Sequence, residues 1–163
     1  MPEKMHIPKW YLFAAGIAVS LFAGILGSLV TPTGPESWFV LELIKPVFQP
    51  PAWLFAPVWT ILYILMGAAL AFVLAEGWDR RIVKISAGVF AVQLVLNVLW
   101  SYLFFGWHNL IAASVEIVML WASIAVMIWL FAKVSRPAAY LLIPYILWVT
   151  FATVLTITIA VIN

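Results

Sequence analysis

Five long apolar stretches, separated by segments that carry the charged residues, restrict most strongly how this chain can fold. A transmembrane helix needs about 20 mostly apolar residues. Open sheet edges are excluded from lipid, and the alternating segments of about 10 residues that build membrane barrels are absent. The sequence therefore predicts an all-α integral membrane protein, a bundle of five transmembrane helices in one domain covering residues 1–163. The stretches are residues 10–30, 51–75, 85–106, 109–132 and 137–162.

The overall composition excludes several classes of protein. Apolar residues make up 67% of the chain and charged residues 9%, whereas soluble domains have roughly 45–50% and about 25%. A soluble fold of this size cannot bury so much apolar surface. Eight cationic and six anionic residues are too few for a basic face, so we expect no nucleic-acid partner. The absence of cysteine excludes disulfides and thiolate sites, and we expect no metal site.

The long loop, residues 31–50, contains four of the ten prolines. A loop of this length without regular structure is usually functional. With five spans, the N-terminus shares its side of the membrane with seven cationic residues, and the long loop shares its side with Lys45 alone. Because cationic residues favour the cytoplasmic side, we predict a cytoplasmic N-terminus and an outside C-terminus. The seven residues are Lys4, Lys9, Arg80, Arg81, Lys84, Lys133 and Arg136.

Two polar features lie within the apolar stretches. Gln93, Asn97 and Ser101 recur every fourth residue and share one helix face beside Trp100. This face either joins neighbouring helices by hydrogen bonds or supplies the directed polar groups of an apolar ligand pocket. For Asn97 we favour the pocket. Glu116 is either a carboxyl that hydrogen-bonds a neighbouring helix or a functional ionisable group.

Aromatic residues form a second pattern within the stretches. Phe55, Trp59 and Tyr63 follow one another at intervals of four, and Trp148 and Ala152 have the same spacing. Tryptophan in mid-span is unusual, since membrane proteins place most of it at the interfaces. The pattern is compatible with core packing and with a flat aromatic cavity. An indole has a broad π face and one N–H donor, which suits a planar, mostly apolar ligand.

Small residues form a ridge on the first stretch at Gly16, Ser20, Gly24 and Ser28. Such a ridge allows close helix contact, either within one chain or in a homodimer, and we favour contact within the chain. The sequence has no evident Ser–His–Asp set and no phosphate-binding loop of the GxxxxGK[ST] type. It therefore predicts no classical catalytic site.

The run PPAWLFAPVWTILY at residues 50–63 is the most specific of several motifs that resemble one known family. Gln93, Asn97 and Trp100, the run FFG at 104–106 and the run PYILWVTFAT at 144–153 extend the likeness. Over essentially its whole length, the chain is similar to the TspO/MBR family. These are the tryptophan-rich sensory proteins, related to the mitochondrial translocator protein or peripheral benzodiazepine receptor.

This resemblance implies a five-helix bundle, often a homodimer, whose first loop caps a ligand pocket. The implied ligands are tetrapyrroles, such as protoporphyrin IX and haem, and drug-like isoquinoline carboxamides and benzodiazepines. It also implies that Trp148, supported by Trp59, takes part in light-dependent oxidative breakdown of a bound porphyrin. The residues that we expect to contact the ligand, from the resemblance and from the aromatic pattern, are Phe39, Phe55, Trp59, Asn97, Trp100, Trp148 and Ala152.

Three functions stay open at this point. The chain could bind tetrapyrroles and promote porphyrin photo-oxidation, with a role in oxidative stress or tetrapyrrole regulation. It could instead transport porphyrins or other hydrophobic ligands, or bind them as a scaffold without turnover. The cholesterol-type order of Leu or Val, Tyr, and Lys or Arg is absent. Its absence favours a bacterial cell membrane as the location.

Overall fold

The computed structural model describes residues 9–31 and 34–163, which are helical with short connections. Five helices in this part of the chain are long and apolar enough to cross a membrane, which confirms the predicted fold class. Lys4, one of the cationic residues used to predict the orientation, lies outside the described residues. The spans are Trp10–Ser28, Ala52–Ala75, Arg81–Gly106, Leu110–Val134 and Arg136–Ile162.

The α-helices of the described residues are numbered in chain order, and all except α2 belong to spans. A 3₁₀ turn, Ala52–Leu54, precedes α3, and a π-helix, Tyr102–Gly106, follows α4. The helices are α1 (Trp10–Ser28), α2 (Trp38–Leu41), α3 (Phe55–Ala75), α4 (Arg81–Ser101), α5 (Leu110–Val134), α6 (Arg136–Leu141) and α7 (Ile143–Ile162).

Local sequence explains several helix boundaries. Gly77 follows the end of α3 with φ at 101°, a left-handed conformation that glycine adopts without steric cost. Asn109 caps α5, because its side-chain oxygen accepts a hydrogen bond of 2.9 Å from the backbone N–H of Ala112. Pro137 lies in the first turn of α6, where a missing N–H group leaves no intrahelical bond unmade.

The third and fifth spans differ from the predicted bounds. The third span begins at Arg81 rather than residue 85, because the charged residues of the preceding turn form the first turn of α4. The fifth span is divided at Leu142 into α6 and α7. Pro144 has no N–H group to donate to the carbonyl of Tyr140, which weakens the helix at this point.

The spans form a closed bundle around a common core. α1 packs against α3 and α4, and α5 packs against α4, α6 and α7. α3 closes the ring through α6, whereas α3 and α7 share few contacts. The second and fifth spans therefore diverge toward the end of the bundle that carries the long loop, here called the loop end.

Small residues bring α1 and α3 into direct backbone contact. A Cβ atom on Gly16 would collide with the carbonyl oxygen of Gly67, and one on Gly67 would collide with the backbone of Ile17. Gly24 lies against the ring of Tyr63. Gly16, Ser20 and Gly24 of the small-residue ridge thus pack within the chain, whereas Ser28 is exposed. A homodimer stays a prediction of the resemblance.

The buried apolar residues form two clusters. The inner cluster is the larger and includes Met66, Ile124 and Phe131. The loop-end cluster consists of Leu43, Phe104, Ala113, Leu155 and Ile159. Because Leu43 belongs to the long loop, the loop is packed into the bundle and closes that end of it.

The contact between α1 and α3 predicts unequal effects for two glycine-to-alanine substitutions. Gly67→Ala forces backbone atoms of α1 apart, and overpacking of this kind costs about 1–3 kcal/mol. Gly88→Ala meets open space on α4 and should be neutral or slightly stabilising, since alanine favours helix. Thermal unfolding in detergent, followed by tryptophan fluorescence, should show a lower midpoint for the first variant only. Equal midpoints would contradict the close approach.

Candidate functional site

Two aromatic contacts connect the second and fifth spans at the loop end. The rings of Phe55 and Trp148 meet edge to face with centroids 5.9 Å apart. One turn deeper, the rings of Trp59 and Tyr145 meet in the same way at 6.3 Å. Residues three or four apart share a helix face, so one face of α3 meets one face of α7 twice. The aromatic rings therefore fill the space between the diverging helices.

A buried network of four hydrogen bonds lies below these rings and joins the second, third and fifth spans. The hydroxyl of Tyr63 donates to Oδ1 of Asn97 (2.5 Å), and Nδ2 of Asn97 donates to the hydroxyl of Tyr145 (3.0 Å). That hydroxyl donates to Oε1 of Gln93 (2.8 Å), whose Nε2 donates to the sulfur of Met66 (3.7 Å). Asn97 thus joins neighbouring helices, and its contact with a ligand stays a prediction.

Two indole N–H groups at the site have no acceptor among the residues that the structure describes. Nε1 of Trp100 and Nε1 of Trp148 are both buried, and neither has a hydrogen-bond partner among the described residues. The Trp100 ring stacks on Phe104 at 5.1 Å, so packing holds the ring while its N–H group stays unpaired. An unsatisfied polar group in an apolar environment costs several kcal/mol. The site therefore has two donors fixed in position for an acceptor.

The long loop covers this site with aromatic side chains. Phe39 of α2 contacts the rings of Phe104 and Phe105 at 6.1 and 5.6 Å. Next to it, Trp38 stacks on His108 with centroids 3.9 Å apart and an interplanar angle of 6°. The contacts of α2 with the π-helix and its following turn place the loop over the end of the bundle.

Asn163 fastens the loop to the end of α7. Its Oδ1 accepts a hydrogen bond from the backbone N–H of Ile44 (2.8 Å), and its Nδ2 donates to the Ile44 carbonyl (3.0 Å). Nδ2 also donates to the carbonyl of Ile159 in the last turn of α7 (2.9 Å). One side chain thereby links the loop backbone to the fifth span.

An open apolar groove of about 450 Å³ runs between α3 and α7 on the outside of the bundle. Val58 lines it from α3, and Pro144, Trp148 and Phe151 line it from α7. Because Trp148 belongs both to the groove and to the aromatic contacts, its ring separates the groove from the interior. The groove gives the site a side that faces the lipid.

Glu116 is buried within α5, with 4% of its surface exposed. Neither carboxylate oxygen has a hydrogen-bond partner in the described part of the chain, so the expectation of a bond to a neighbouring helix is wrong there. The helix that carries Glu116 packs against α4, α6 and α7. The other candidate role of Glu116, as a functional ionisable group, stays a prediction.

Comparison with known proteins identifies the family. The family model described as TspO/MBR family matches residues 16–162. The chain belongs to the TspO/MBR family. Five spans and family membership together make it an integral, multi-pass membrane protein.

Relatives in this family come from bacteria, archaea and mammals. The tryptophan-rich protein TspO of Chlorobaculum tepidum is 48% identical over 147 residues, 90% of this chain and 92% of the relative. The protein of the same name in Archaeoglobus fulgidus is 39% identical over 150 residues, 91% of this chain and 95% of its own. The translocator protein of Bos taurus is 33% identical over 150 residues, 91% of this chain and 88% of its own.

The residues predicted to contact a ligand lie along the boundary between the two apolar clusters. Trp100 packs against both clusters. Phe39 and Phe55 pack against the loop-end cluster only, and Trp59, Trp148 and Ala152 pack against the inner cluster only. Asn97 lies in the network beneath them. The structure thus brings this set together in one region of the TspO/MBR fold, while contact with a ligand stays a prediction.

Sequence reasoning missed several residues that complete the site. Phe104 and Phe105, in the π-helix, form the surface on which Phe39 rests. Tyr145 lies three residues before Trp148, and this spacing could have placed both on one helix face. No pattern could have paired Asn163 with Ile44, because 119 residues separate them. Within the described ranges, no group of three or more His, Cys, Asp or Glu residues could hold a metal ion.

The buried network predicts that Tyr145→Phe destabilises the protein. The substitution leaves the ring in place but leaves Nδ2 of Asn97 and Oε1 of Gln93 without partners, which costs about 1–2 kcal/mol. Tyr140→Phe is the matched control, since that side chain is 71% exposed. Unfolding titrations in mixed detergent micelles should show a lower free energy of unfolding for Tyr145→Phe than for Tyr140→Phe. Equal stability would show that the network does not join the helices.

The Asn163 link predicts that Asn163→Ala loosens the long loop. The N–H of Ile44 then loses its acceptor, and its exchange with solvent deuterium should become faster. Asn163→Asp keeps an oxygen acceptor, so the N–H of Ile44 in this variant should exchange at a rate between those of wild type and Asn163→Ala. Hydrogen exchange measured by mass spectrometry on peptides covering residues 40–48 tests this. An unchanged rate in the alanine variant would remove the role assigned to this side chain.

Proposed function

We propose that this TspO/MBR family member binds a tetrapyrrole at the loop end and promotes light-dependent oxidative breakdown of bound porphyrin. The observation that carries the proposal is the pair of buried, unpartnered indole N–H groups of Trp100 and Trp148 within an aromatic wall. Porphyrin carboxylates are acceptors for such donors, and hydrogen bonds to charged acceptors are roughly twice as strong as neutral ones.

The shape of the site suits a flat, mostly apolar molecule. Phe55, Trp59 and Trp148 present aromatic rings from α3 and α7, and aromatic rings stack well on planar π systems. Because α3 and α7 share few contacts, a ring would enter between them mainly by displacing the aromatic contacts of Phe55 with Trp148 and of Trp59 with Tyr145. Flat drug-like ligands, such as isoquinoline carboxamides and benzodiazepines, would use the same walls.

In this photochemistry the protein would hold the porphyrin and the two indoles in fixed positions relative to one another. Light excites the porphyrin, which can then sensitise oxygen or withdraw an electron from a nearby indole. Trp148 lies at the lipid-facing groove, and Trp59 lies one turn deeper against Tyr63 and Tyr145. In the electron-transfer route, an indole would reduce the excited porphyrin, and molecular oxygen would take that electron to give superoxide, so that oxygen is the net oxidant. The two indoles would also hold the porphyrin in one orientation. The loop, through Phe39, would restrict access of water.

We further propose that the protein lies in a bacterial cell membrane with its N-terminus in the cytoplasm. Among the described residues, the end of the bundle opposite the loop carries six cationic residues, and the loop end carries Lys45. Cationic residues favour the cytoplasmic side, and relatives from bacteria and archaea support a prokaryotic origin. The six residues are Lys9, Arg80, Arg81, Lys84, Lys133 and Arg136.

Protoporphyrin IX added to the purified protein tests this function. The expected result is binding that quenches tryptophan fluorescence, followed by an absorbing product that forms in light and not in the dark. Trp148→Phe keeps an aromatic ring but removes the N–H group and the easily oxidised indole, so product formation should fall by about tenfold or more. Trp129→Phe is the control, since Trp129 lies exposed on α5 beside Lys133.

Each other outcome contradicts a stated part of the proposal. If wild type and Trp148→Phe form product at the same rate, Trp148 has no chemical role. If the porphyrin binds but bleaches no faster than free porphyrin, photo-oxidation is wrong, and flux into liposomes in the dark then tests transport. If no porphyrin binds, the tetrapyrrole assignment is wrong.

A further inference from the structure

Among the described residues, the carboxyl group of Glu116 has no cationic partner. Around the buried side chain, these residues supply no hydrogen bond to either oxygen. Lys45 is the cationic residue at the same end of the bundle. Its Nζ donates to the carbonyl of Val40 (2.9 Å) and lies 5.3 Å from the ring centre of Phe39, on the surface of the loop.

Glu116 lies at the level where the two apolar clusters meet. One turn before it on α5, Ala113 belongs to the loop-end cluster, and the following residue, Ile117, belongs to the inner cluster. Trp100 on the neighbouring third span packs against both clusters. The carboxyl is therefore at the depth of the predicted ligand residues and not at a membrane surface.

Aromatic rings near this level favour a cation. α7 packs against α5, the helix that carries Glu116. On α7 the ring of Tyr145 meets that of Trp59, and Trp148 lies one turn further along. Cations are attracted to the faces of indole and phenol rings, most strongly where water is excluded. A buried carboxyl stays ionised only where an opposite charge pairs with it. The aromatic rings and the carboxyl would therefore both be matched by one kind of ligand, an ammonium group attached to an apolar body.

We propose that Glu116 is the recognition site for the protonated amine of a lipophilic ligand. The carboxylate would accept its N–H donors, and the rings of Tyr145 and Trp148 would contact the adjoining apolar part. The groove lined by Trp148 lies between α3 and α7, and a ligand entering there would have to pass the Trp148 ring to reach Glu116. The inference goes beyond the tetrapyrrole proposal, since it names a second ligand class with the opposite charge.

A pair of probes that differ in charge tests the proposal. 2-(1-Naphthyl)ethylamine is a cation at pH 7, and its N-acetyl derivative has the same ring system without the charge. Isothermal titration calorimetry in a non-ionic detergent should show that wild type prefers the amine by about tenfold or more. In Glu116→Gln the preference should disappear, because the amide has the same shape and no charge.

Matched variants separate a binding role from a structural one. Glu116→Asp keeps the charge and should keep a preference for the amine. Ser86→Ala removes another buried polar group that has no partner among the described residues, and it should behave as wild type. Protoporphyrin IX binding, measured on the same preparations, should survive in Glu116→Gln, so that failure of the amine site and failure of the tetrapyrrole site are told apart.

The wild-type comparison alone can overturn the proposal. If wild type binds the amine and the acetamide equally, no cation site exists, whether or not Glu116→Gln folds. If the preference is present and Glu116→Gln keeps it in full, the cation binds elsewhere.

Discussion

The polar groups inside the bundle have to find partners within the protein, because lipid offers none. Tyr63, Asn97, Tyr145 and Gln93 meet this requirement by pairing with one another across three spans. Their bonds fix the second, third and fifth spans at the depth where α3 and α7 begin to diverge. The aromatic rings above the network are held by these helices, so the geometry of the site depends on it.

The same requirement makes the unpaired groups informative. Trp100, Trp148 and Glu116 lie near the paired network, yet their N–H groups and carboxylate oxygens have no partner among residues 9–31 and 34–163. Each is an energetic cost that a bound molecule could remove. The paired groups thus contribute to the stability of the bundle, and the unpaired groups indicate which chemistry a ligand could supply. The two indole N–H donors need acceptors on a ligand, and the carboxyl of Glu116 needs a cation or a hydrogen-bond donor.

Much of this arrangement could be predicted from the sequence. The five apolar stretches, interrupted by charged turns, define the spans, because span length is set by the thickness of the bilayer. The spacing of Phe55, Trp59 and Tyr63 placed these rings on one face of α3. The small residues Gly16 and Gly24 predicted the close approach to a neighbouring helix. Each of these rests on local periodicity, which a single sequence contains.

The contacts that complete the site depend on tertiary geometry. The pairing of Asn97 with two tyrosines and the link between Ile44 and Asn163 join distant parts of the chain. The lack of a partner for Glu116 among the described residues depends likewise on which side chains the fold brings near it. Helical spacing gives the face of a residue but not the identity of the facing side chain. For this reason the sequence left both roles open for Glu116.

The most direct measurement follows the two unpaired indole groups themselves. Two-dimensional NMR of protein labelled with ¹⁵N-tryptophan in micelles resolves the indole N–H signals, and Trp→Phe variants assign them. Addition of protoporphyrin IX in the dark should shift the N–H protons of Trp100 and Trp148 downfield, as expected when a free donor gains a charged acceptor. The signals of exposed tryptophans such as Trp129 should move less. Unchanged signals for Trp100 and Trp148, with the porphyrin bound, would contradict the account.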